Sequence, residues 1–599
     1  MPQPRILPCD TVVEWRGETL YARSPRPLPP YPVRLTDRLE HWAEQAPDRP
    51  FLCRRDASGS WARLTYASAL TRVRAIAASL VERGLSAERP IVILSGNSIE
   101  HGLLALAAMY GGVPYAPIAP SYSLLARQFT TLTRIFEVMR PGLVFADDAE
   151  RFGRALACVC PPHVEVVSCA SAASTRTTPF EALERSTAPA ALEAAHAAVD
   201  GGSVAKILYT SGSTGTPKGV INTQRMLCSN QEMIRSVMAL LADDPPVLCD
   251  WLPWNHTFGG NHNFGIVLYN GGTLYIDDGK PTPEGFATTL GNLREIATTA
   301  YFNVPRGYDL LVPALRADAA FRDHFFSRVK MLFCAAAALR QEIADALDEA
   351  ALAARGERLP LVTGLGATES APFAICAGDS AFTGGRVGGP VPGVELKLAP
   401  VGGKYEGRLR GPNITPGYWR EPELTAAAFD EEGFYKLGDA LGFVDPVDPS
   451  LGFVFEGRLS EDFKLSTGTW VRVGALRAAL LAHLGELVFD VVIGGHDREF
   501  VVALIFPNRV RCQGMPPGAL RHEIAGLLAG FAAAHPGSST AIRRAAILED
   551  PPAIDAGELT EKGSVNQKAV LRQRAAIVEQ LFAPEPSPPL IDIREGQEA

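Results

Sequence analysis

Apolar positions along the chain recur with two different periods. Residues 68–85 (SALTRVRAIAASLVERGL) repeat apolar side chains every three to four positions, which predicts an amphipathic helix, and Gly84 supplies its stop. Residues 91–95 (IVILS) and 143–147 (LVFAD) are short unbroken apolar runs, the pattern of parallel strands covered on both faces. GNSIEHGLLALAAMYGG follows the first of these as a second helix, with Asn97 or Ser98 as its cap. Strand–helix alternation of this kind predicts an α/β protein with doubly wound sheets. Beyond about residue 455 the texture changes. FVFEG, FDVVIGG and REFVVALIF alternate with Ala/Leu-rich helical patterns, which predicts a second, smaller α+β domain. Three stretches fall outside both patterns. The Pro-rich segment SPRPLPPYPVR, with the thirty-odd residues it closes, is expected to wrap the surface. Residues 168–203 read as a helical or loose connection. APEPSPPLIDIREGQEA at the end reads as a flexible tail.

Composition narrows the class. The 599 residues are 47% hydrophobic and 21% charged with a formal net charge of −9, an ordinary globular balance that argues against a duplex nucleic-acid binder. The length calls for more than one lobe. Ten scattered cysteines form no disulfide framework and fit reduced thiols. Cys158 and Cys160 form a pair with no second Cys or His pair nearby, which argues against a zinc site. The first residues lack an apolar signal core, and LLALAAMYGGVPYAPIAP is too short and too broken to span a bilayer. A cytoplasmic protein with no membrane partner is expected.

AKILYTSGSTGTPKGV (205–220) carries the clearest chemistry. An apolar strand runs into Thr210, Ser211, Gly212, Ser213, Thr214, Gly215 and Lys218. Glycines let backbone N–H groups turn toward one point, hydroxyls add donors, and the lysine adds positive charge, all suited to a polyphosphate. Walker A spacing is excluded, because Pro217 stands where that motif needs its second glycine. A polar turn has the same composition, so the residues alone leave both readings open.

The order of these residues resembles the signature loop of the acyl-adenylate-forming superfamily, [ST]-S-G-[ST]-[ST]-G-x-P-K-G, without a gap. Further segments resemble that family in its order. DWLPWNHTFGGNHN (250–263) places His256 where the family has an aromatic residue or histidine between acyl group and phosphates. LVTGLGATES (361–370) matches [YW]-G-x-T-E at Gly366, Thr368 and Glu369, with Leu365 replacing the aromatic residue. GRLRGPNITPGYW and FYKLGDAL follow, the latter carrying Asp439. FEGRLSEDFKLSTGTWV matches the hinge segment at Gly457, Arg458 and Lys464, with Ser460 at the hinge position. LTEKGSVNQKAVL carries Thr560 and Lys562, with Lys568 as the competing lysine.

The resemblance implies a large N-terminal AMP-binding and acyl-pocket domain (1–457), a hinge (458–462) and a mobile C-terminal lid (463–599). It implies an enzyme that adenylates a carboxylic acid with Mg-ATP and passes the acyl group to coenzyme A. Lys562, His256, Thr368 and Glu369 are then catalytic, with Glu369 carrying Mg2+. Thr210, Ser211, Gly212, Ser213, Thr214, Gly215, Lys218, Gly364, Leu365, Gly366, Ala367, Asp439 and Arg458 hold the nucleotide. His256, Phe258, Gly259, Phe302, Asn303 and Gly364 line the acid pocket, and Lys464 and Gly468 border the thiol channel. CAAAAL also belongs to the pocket lining. INTQRML, YFNVPRGYDLL and LTEKGSVNQKAVL resemble feruloyl-CoA synthases, which implies an aromatic, hydroxycinnamate-like acid. Its phenol would meet Asn303 or an asparagine near His262. A medium- or long-chain fatty acyl-CoA synthetase is the enzyme alternative, and a non-catalytic nucleotide sensor the alternative of another class. The resemblance leaves monomer and homodimer open.

Overall fold

The computed structural model describes residues 6–126, 128–170, 176–186, 189–210, 217–378, 382–509, 511–516, 518–553, 556–559, 565–584 and 590–593. The chain divides into two units. The larger comprises Met1–Val401, Gly407–Leu437 and Phe443–Val454. The smaller comprises Gly402–Glu406, Gly438–Gly442 and Phe455–Ala599.

In the larger unit a seven-stranded sheet runs in the order Lys218–Thr223, Val204–Thr210, Tyr115–Pro117, Ile91–Leu94, Leu143–Asp148, Glu165–Ala170 and Thr178–Pro179. All its neighbours are parallel except the first pair, which is antiparallel, with Thr210 opposite Lys218. The run IVIL is buried at every position, as its composition requires. The helix predicted after it is Ile99–Tyr110, capped by Ser98, whose hydroxyl accepts from the His101 N–H at 3.0 Å. Apolar all round, it is buried from His101 to Tyr110. The amphipathic helix is Tyr66–Glu82, and Gly84 follows it at φ +63°. A four-stranded sheet orders Val247–Asp250, Thr273–Ile276, Pro50–Arg55 and Trp61–Thr65. Elsewhere Tyr301–Asn303, Leu332–Cys334 and Leu361–Leu365 lie side by side in parallel. Antiparallel strands Ile375–Cys376 and Arg386–Pro390 extend this row.

In the smaller unit Val488–Gly494, Val501–Pro507, Ile542–Ile547 and Ile591–Asp592 form a four-stranded sheet. Alternate residues face opposite ways. Val491, Ile493, Val501 and Ala503 pack with helices Val473–Leu484 and Ala519–Ala534. Val492, Val502, Leu504 and Phe506 pack with Val570 and Leu581.

Two expectations are overturned. The N-terminal stretch is not all surface wrapping, because Val12–Arg16 and Thr19–Arg23 form a hairpin. Thr19–Arg23 then pairs with Glu395–Val401 and buries Leu20 and Ala22. Two inward side chains in a short strand outweigh the prolines that follow. The tail is likewise partly structured. Ile591 and Asp592 pair with Ala545 and Arg544, and the buried Arg544 Nε donates to Asp592 at 2.8 Å. Arg544 also donates to the carbonyls of Leu581 and Ala583. Asp592→Ala is expected to destabilise the smaller unit by about 2 kcal/mol, since it leaves a buried guanidinium without its counter-charge. Denaturant unfolding of the full chain checks this.

Candidate active site

Three segments that the sequence singled out meet in the larger unit. The strand Lys218–Thr223 follows in sequence the run predicted to hold phosphate, whose residues Ser211–Thr216 lie outside the described residues. GPNITPGYW lies along this strand. The Trp419 N–H donates to the Gly219 carbonyl at 2.7 Å and the Ile221 N–H to the Gly417 carbonyl at 3.1 Å. The turn Thr368–Ser370 is joined to the same segment by the Thr415 N–H, which donates to the Glu369 carbonyl at 2.8 Å. Asn230 and Asn413 both donate to the carbonyls of Ser370 and Phe373, which fixes the turn from below. Gly366 is required there, because a Cβ would stand 1.5 Å from the Pro372 carbonyl oxygen. Leu365 ends the strand, and the Ala367 N–H donates to the Ser370 hydroxyl at 2.9 Å.

Glu369 is 8% exposed and accepts from the Tyr418 hydroxyl at 3.0 Å, with the Tyr435 hydroxyl 3.4 Å from that of Tyr418. Burial, and then the Glu369 charge, raises both phenols well above their ordinary range. Lys218 Nζ lies 5.2 Å from the centre of the Tyr418 ring. A lysine, a buried carboxylate and two phenols thus share one neighbourhood beside the start of the strand Lys218–Thr223. The carboxylate is a hard oxygen donor of the kind Mg2+ takes when it shares ligands with phosphate, so the residues fit that ion.

The second cluster is built on the strand Val247–Asp250. Its chain runs through His256 into a π-helical turn, Phe258–Asn263. Two glycines make the turn possible. A Cβ on Gly259 would stand 2.3 Å from the Leu252 carbonyl oxygen, and one on Gly260 would stand 2.2 Å from that of Trp254. The Gly260 N–H donates to the His256 carbonyl at 2.8 Å. From the seven-stranded sheet, buried Lys206 donates to the Gly260 carbonyl at 2.9 Å, and burial pulls this amine down to about 7. Gly259→Ala is expected to cost about 1–3 kcal/mol of stability and to shift the His256 turn. Thermal unfolding together with acid-dependent AMP release checks it.

Within the turn, His262 is 1% exposed and sits among rings. Its ring centre is 5.1 Å from Phe333 in a stacked pair, 5.3 Å from Phe302, 5.4 Å from Phe258 and 6.0 Å from Phe373. Gly364 borders the same cluster, since a Cβ there would lie 3.6 Å from Phe373 and 3.7 Å from Phe333. Phe258, Phe302 and Gly364, predicted from sequence, therefore meet around His262, which lies in the run NHTFGGNHN expected to line the pocket but had no individual role predicted. Phe333 and Phe373 were also not predicted. Asn303 is engaged at both ends of its amide, by the Tyr301 hydroxyl and the Val304 N–H, each at 2.8 Å. The CAAAAL run does not behave as buried lining, because Ala336, Ala337 and Ala338 are exposed.

In the smaller unit Asp439 is 5% exposed, and Arg458 Nε lies 3.5 Å from its carboxylate. Lys464 pairs with Trp470 in a short hairpin, its Nζ 5.0 Å from the indole centre. Gly468 turns that hairpin at φ +83°. Glu461, after Ser460, is raised by burial, against the pull of Arg458, Arg477 and Lys568. Thr560 and Lys562 lie outside the described residues, whereas Lys568 is in the helix Gln567–Gln573. No described helix is long and apolar enough to cross a membrane.

Known proteins share this fold over most of the chain. The anthranilate-CoA ligase AuaEII, solved in complex with anthranoyl-AMP, superposes with a TM-score of 0.72 at 19% identity, covering 92% of this chain and 99% of that one. The A domain of carboxylic acid reductase from Segniliparus rugosus, solved with AMP and a co-purified carboxylic acid, gives 0.71 at 22% identity, covering 92% and 94%. In sequence, long-chain-fatty-acid–CoA ligase FadD15 of Mycobacterium bovis is 26% identical over 592 residues, spanning 88% of this chain and 93% of the relative. The carboxylic acid reductase of Mycobacterium marinum is 26% identical over 440 residues, and the match spans 67% of this chain but about a third, 35%, of that protein's length. Anthranilate–CoA ligase of Pseudomonas aeruginosa is 30% identical over 294 residues, 48% of this chain and 52% of the relative. Residues 39–419 match the family described as AMP-binding enzyme, and residues 462–585 match its C-terminal domain. The chain belongs to the AMP-binding enzyme family.

Proposed function

We propose that the protein is an AMP-forming acid–thiol ligase acting on an aromatic, hydroxycinnamate-like acid such as ferulic acid. The observation that carries the reading is the tie between the strand Lys218–Thr223, the Gly417–Trp419 segment and the Glu369 turn, with an aromatic cluster that Gly364 borders. In the first half-reaction a carboxylate oxygen of the acid attacks the α-phosphorus of ATP. The bond to pyrophosphate breaks, leaving acyl-AMP. In the second, the sulfur of coenzyme A attacks the acyl carbon, the thiol proton is lost, and AMP leaves.

The first step brings two anions together, so positive charge and fixed donors lower its barrier. Lys218 and the loop Thr210–Gly215 hold the triphosphate. Glu369 holds Mg2+, which supplies charge neutralisation at the phosphates when bound. Thr368, Gly364, Leu365, Gly366 and Ala367 border the nucleotide. Asp439 accepts from the ribose hydroxyls, since a carboxylate has acceptor sites for both, and Arg458 lies beside it. Lys562 neutralises the attacking carboxylate. His256 stands between acyl group and phosphates. A pivot in 458–462, with Ser460 at its centre, exchanges Lys562 for the thiol channel at Lys464 and Gly468.

A fatty acid is the second reading, favoured by the similarity to FadD15 across 88% of this chain. AMP release measured over ferulate, cinnamate, anthranilate, octanoate and palmitate, with and without coenzyme A, separates them. Activity dominated by octanoate or palmitate overturns the aromatic reading. ATP binding without AMP release from any acid overturns the enzyme.

A further inference from the structure

His262 stands at the end of a buried hydrogen-bond relay. Asp250 closes the strand Val247–Asp250 and is 5% exposed. One of its oxygens accepts from the Leu252 N–H at 3.0 Å, and the other from Asn263 Nδ2 at 2.9 Å. With its amide nitrogen committed to Asp250, Asn263 turns Oδ1 toward His262 Nδ1 at 2.9 Å. An amide oxygen only accepts, so Nδ1 carries the hydrogen. A neutral imidazole with its proton on Nδ1 has a lone pair on Nε2. Burial holds this ring neutral, lowering it to about 4, and raises Asp250 to about 7.

Nε2 is buried and has no hydrogen-bond partner among the described residues. A buried acceptor left without a donor costs about 1–3 kcal/mol, which is why most such atoms are paired. The surroundings are Phe258, Phe302, Phe333 and Phe373, with Gly364 at their border. None of these side chains offers a donor. Their faces and edges suit a flat ring.

We infer that His262 is a specificity-determining residue whose Nε2 accepts a hydrogen bond from a hydroxyl or amino group on the acid's ring, so that the site selects aromatic acids bearing a donor over their ethers and unsubstituted parents. The inference rests on the aromatic-acid reading above and deepens it. Asn263 acts through His262 as a positioning residue that sets the tautomer. Asn303, the alternative partner for such a phenol, already has a bond at each end of its amide.

The test uses the full-length protein and a matched series: ferulate, 3,4-dimethoxycinnamate and cinnamate, read by ATP–pyrophosphate exchange. An acceptor on the protein distinguishes the phenol from its methyl ether, because the ether has no hydrogen to give. The wild type is expected to favour ferulate over the dimethoxy acid by at least about tenfold in kcat/KM. In His262→Phe this ratio is expected to collapse toward one, with cinnamate losing less than ferulate does. Asn263→Leu, which frees the tautomer, is expected to reduce the ratio in part. A wild type that uses the ether as well as the phenol overturns the inference without any variant, so a variant that misfolds does not rescue it. A His262→Phe enzyme that keeps the wild-type ratio also overturns it. If no aromatic acid reacts while octanoate or palmitate does, the aromatic reading itself has failed, and the class of acid rather than the ratio reveals it.

Discussion

Lys562→Ala is expected to lose acid-dependent ATP–pyrophosphate exchange by about a hundredfold to a thousandfold, while the same variant still converts synthetic feruloyl-AMP and coenzyme A to the thioester. The asymmetry follows from charge. In the adenylation step a carboxylate must approach a triphosphate, and a lysine at the point of attack favours the transition state more than the separated anions. In thioester formation the AMP departs with charge it already carries, and that step does not require the lysine. Lys568→Ala is the control, because Lys568 lies on the helix Gln567–Gln573 and faces the competing assignment directly. Exchange lost in Lys568→Ala and preserved in Lys562→Ala moves the role to Lys568.

Glu369→Gln is expected to lower exchange by about a hundredfold at fixed Mg2+ and to raise the Mg2+ concentration needed for half-maximal rate. Glutamine keeps the size and one oxygen, so the turn held by Asn230, Asn413 and Thr415 survives. What is lost is a full negative charge in a nearly buried position that the Tyr418 hydroxyl already orients. Tyr418→Phe should reproduce the Mg2+ shift weakly, since it removes one donor and leaves the charge. An exchange rate in Glu369→Gln that is unchanged over a Mg2+ titration removes the ion from this carboxylate.

Much of the fold was legible because it rests on long, regular patterns. IVIL and LVFA have no polar position to spare for solvent, and they are buried in neighbouring strands at the centre of their sheet. GLLALAAMY is apolar on every face, and its helix is covered on every face. What escaped was short. Thr19–Arg23 turns only Leu20 and Ala22 inward, and five residues beside a Pro-rich run carry too few alternations to register a strand. Leu590–Ile593 has the same weakness at the other end, and there the decisive partner, Arg544, is 48 residues away in sequence from Asp592.

At the site, the motifs point to residues proposed to hold phosphate and metal, because phosphate chemistry demands a fixed order of small and polar residues. The aromatic cluster is assembled from four separate segments, so no local pattern announces it. A local signal for His262 did exist. Phe258 and His262 are four apart in a run that the glycines make helical, which puts them on one side of the turn. Asparagines on both sides drew attention to polarity, although one of them, Asn263, serves to orient the histidine ring.

At Gly259 and Gly260 the first atoms a side chain would meet are backbone, of Leu252 and Pro253 for the one and of Trp254 for the other. The backbone of the His256 turn is therefore anchored at its glycines in addition to the ring contacts of Phe258 and His262. A mutant library at Phe302, Phe333 and Phe373 should yield mostly folded enzymes with drifted acid preferences, and one at the glycine pair mostly dead ones. Selection for a new substrate has somewhere to act without first relocating the machinery.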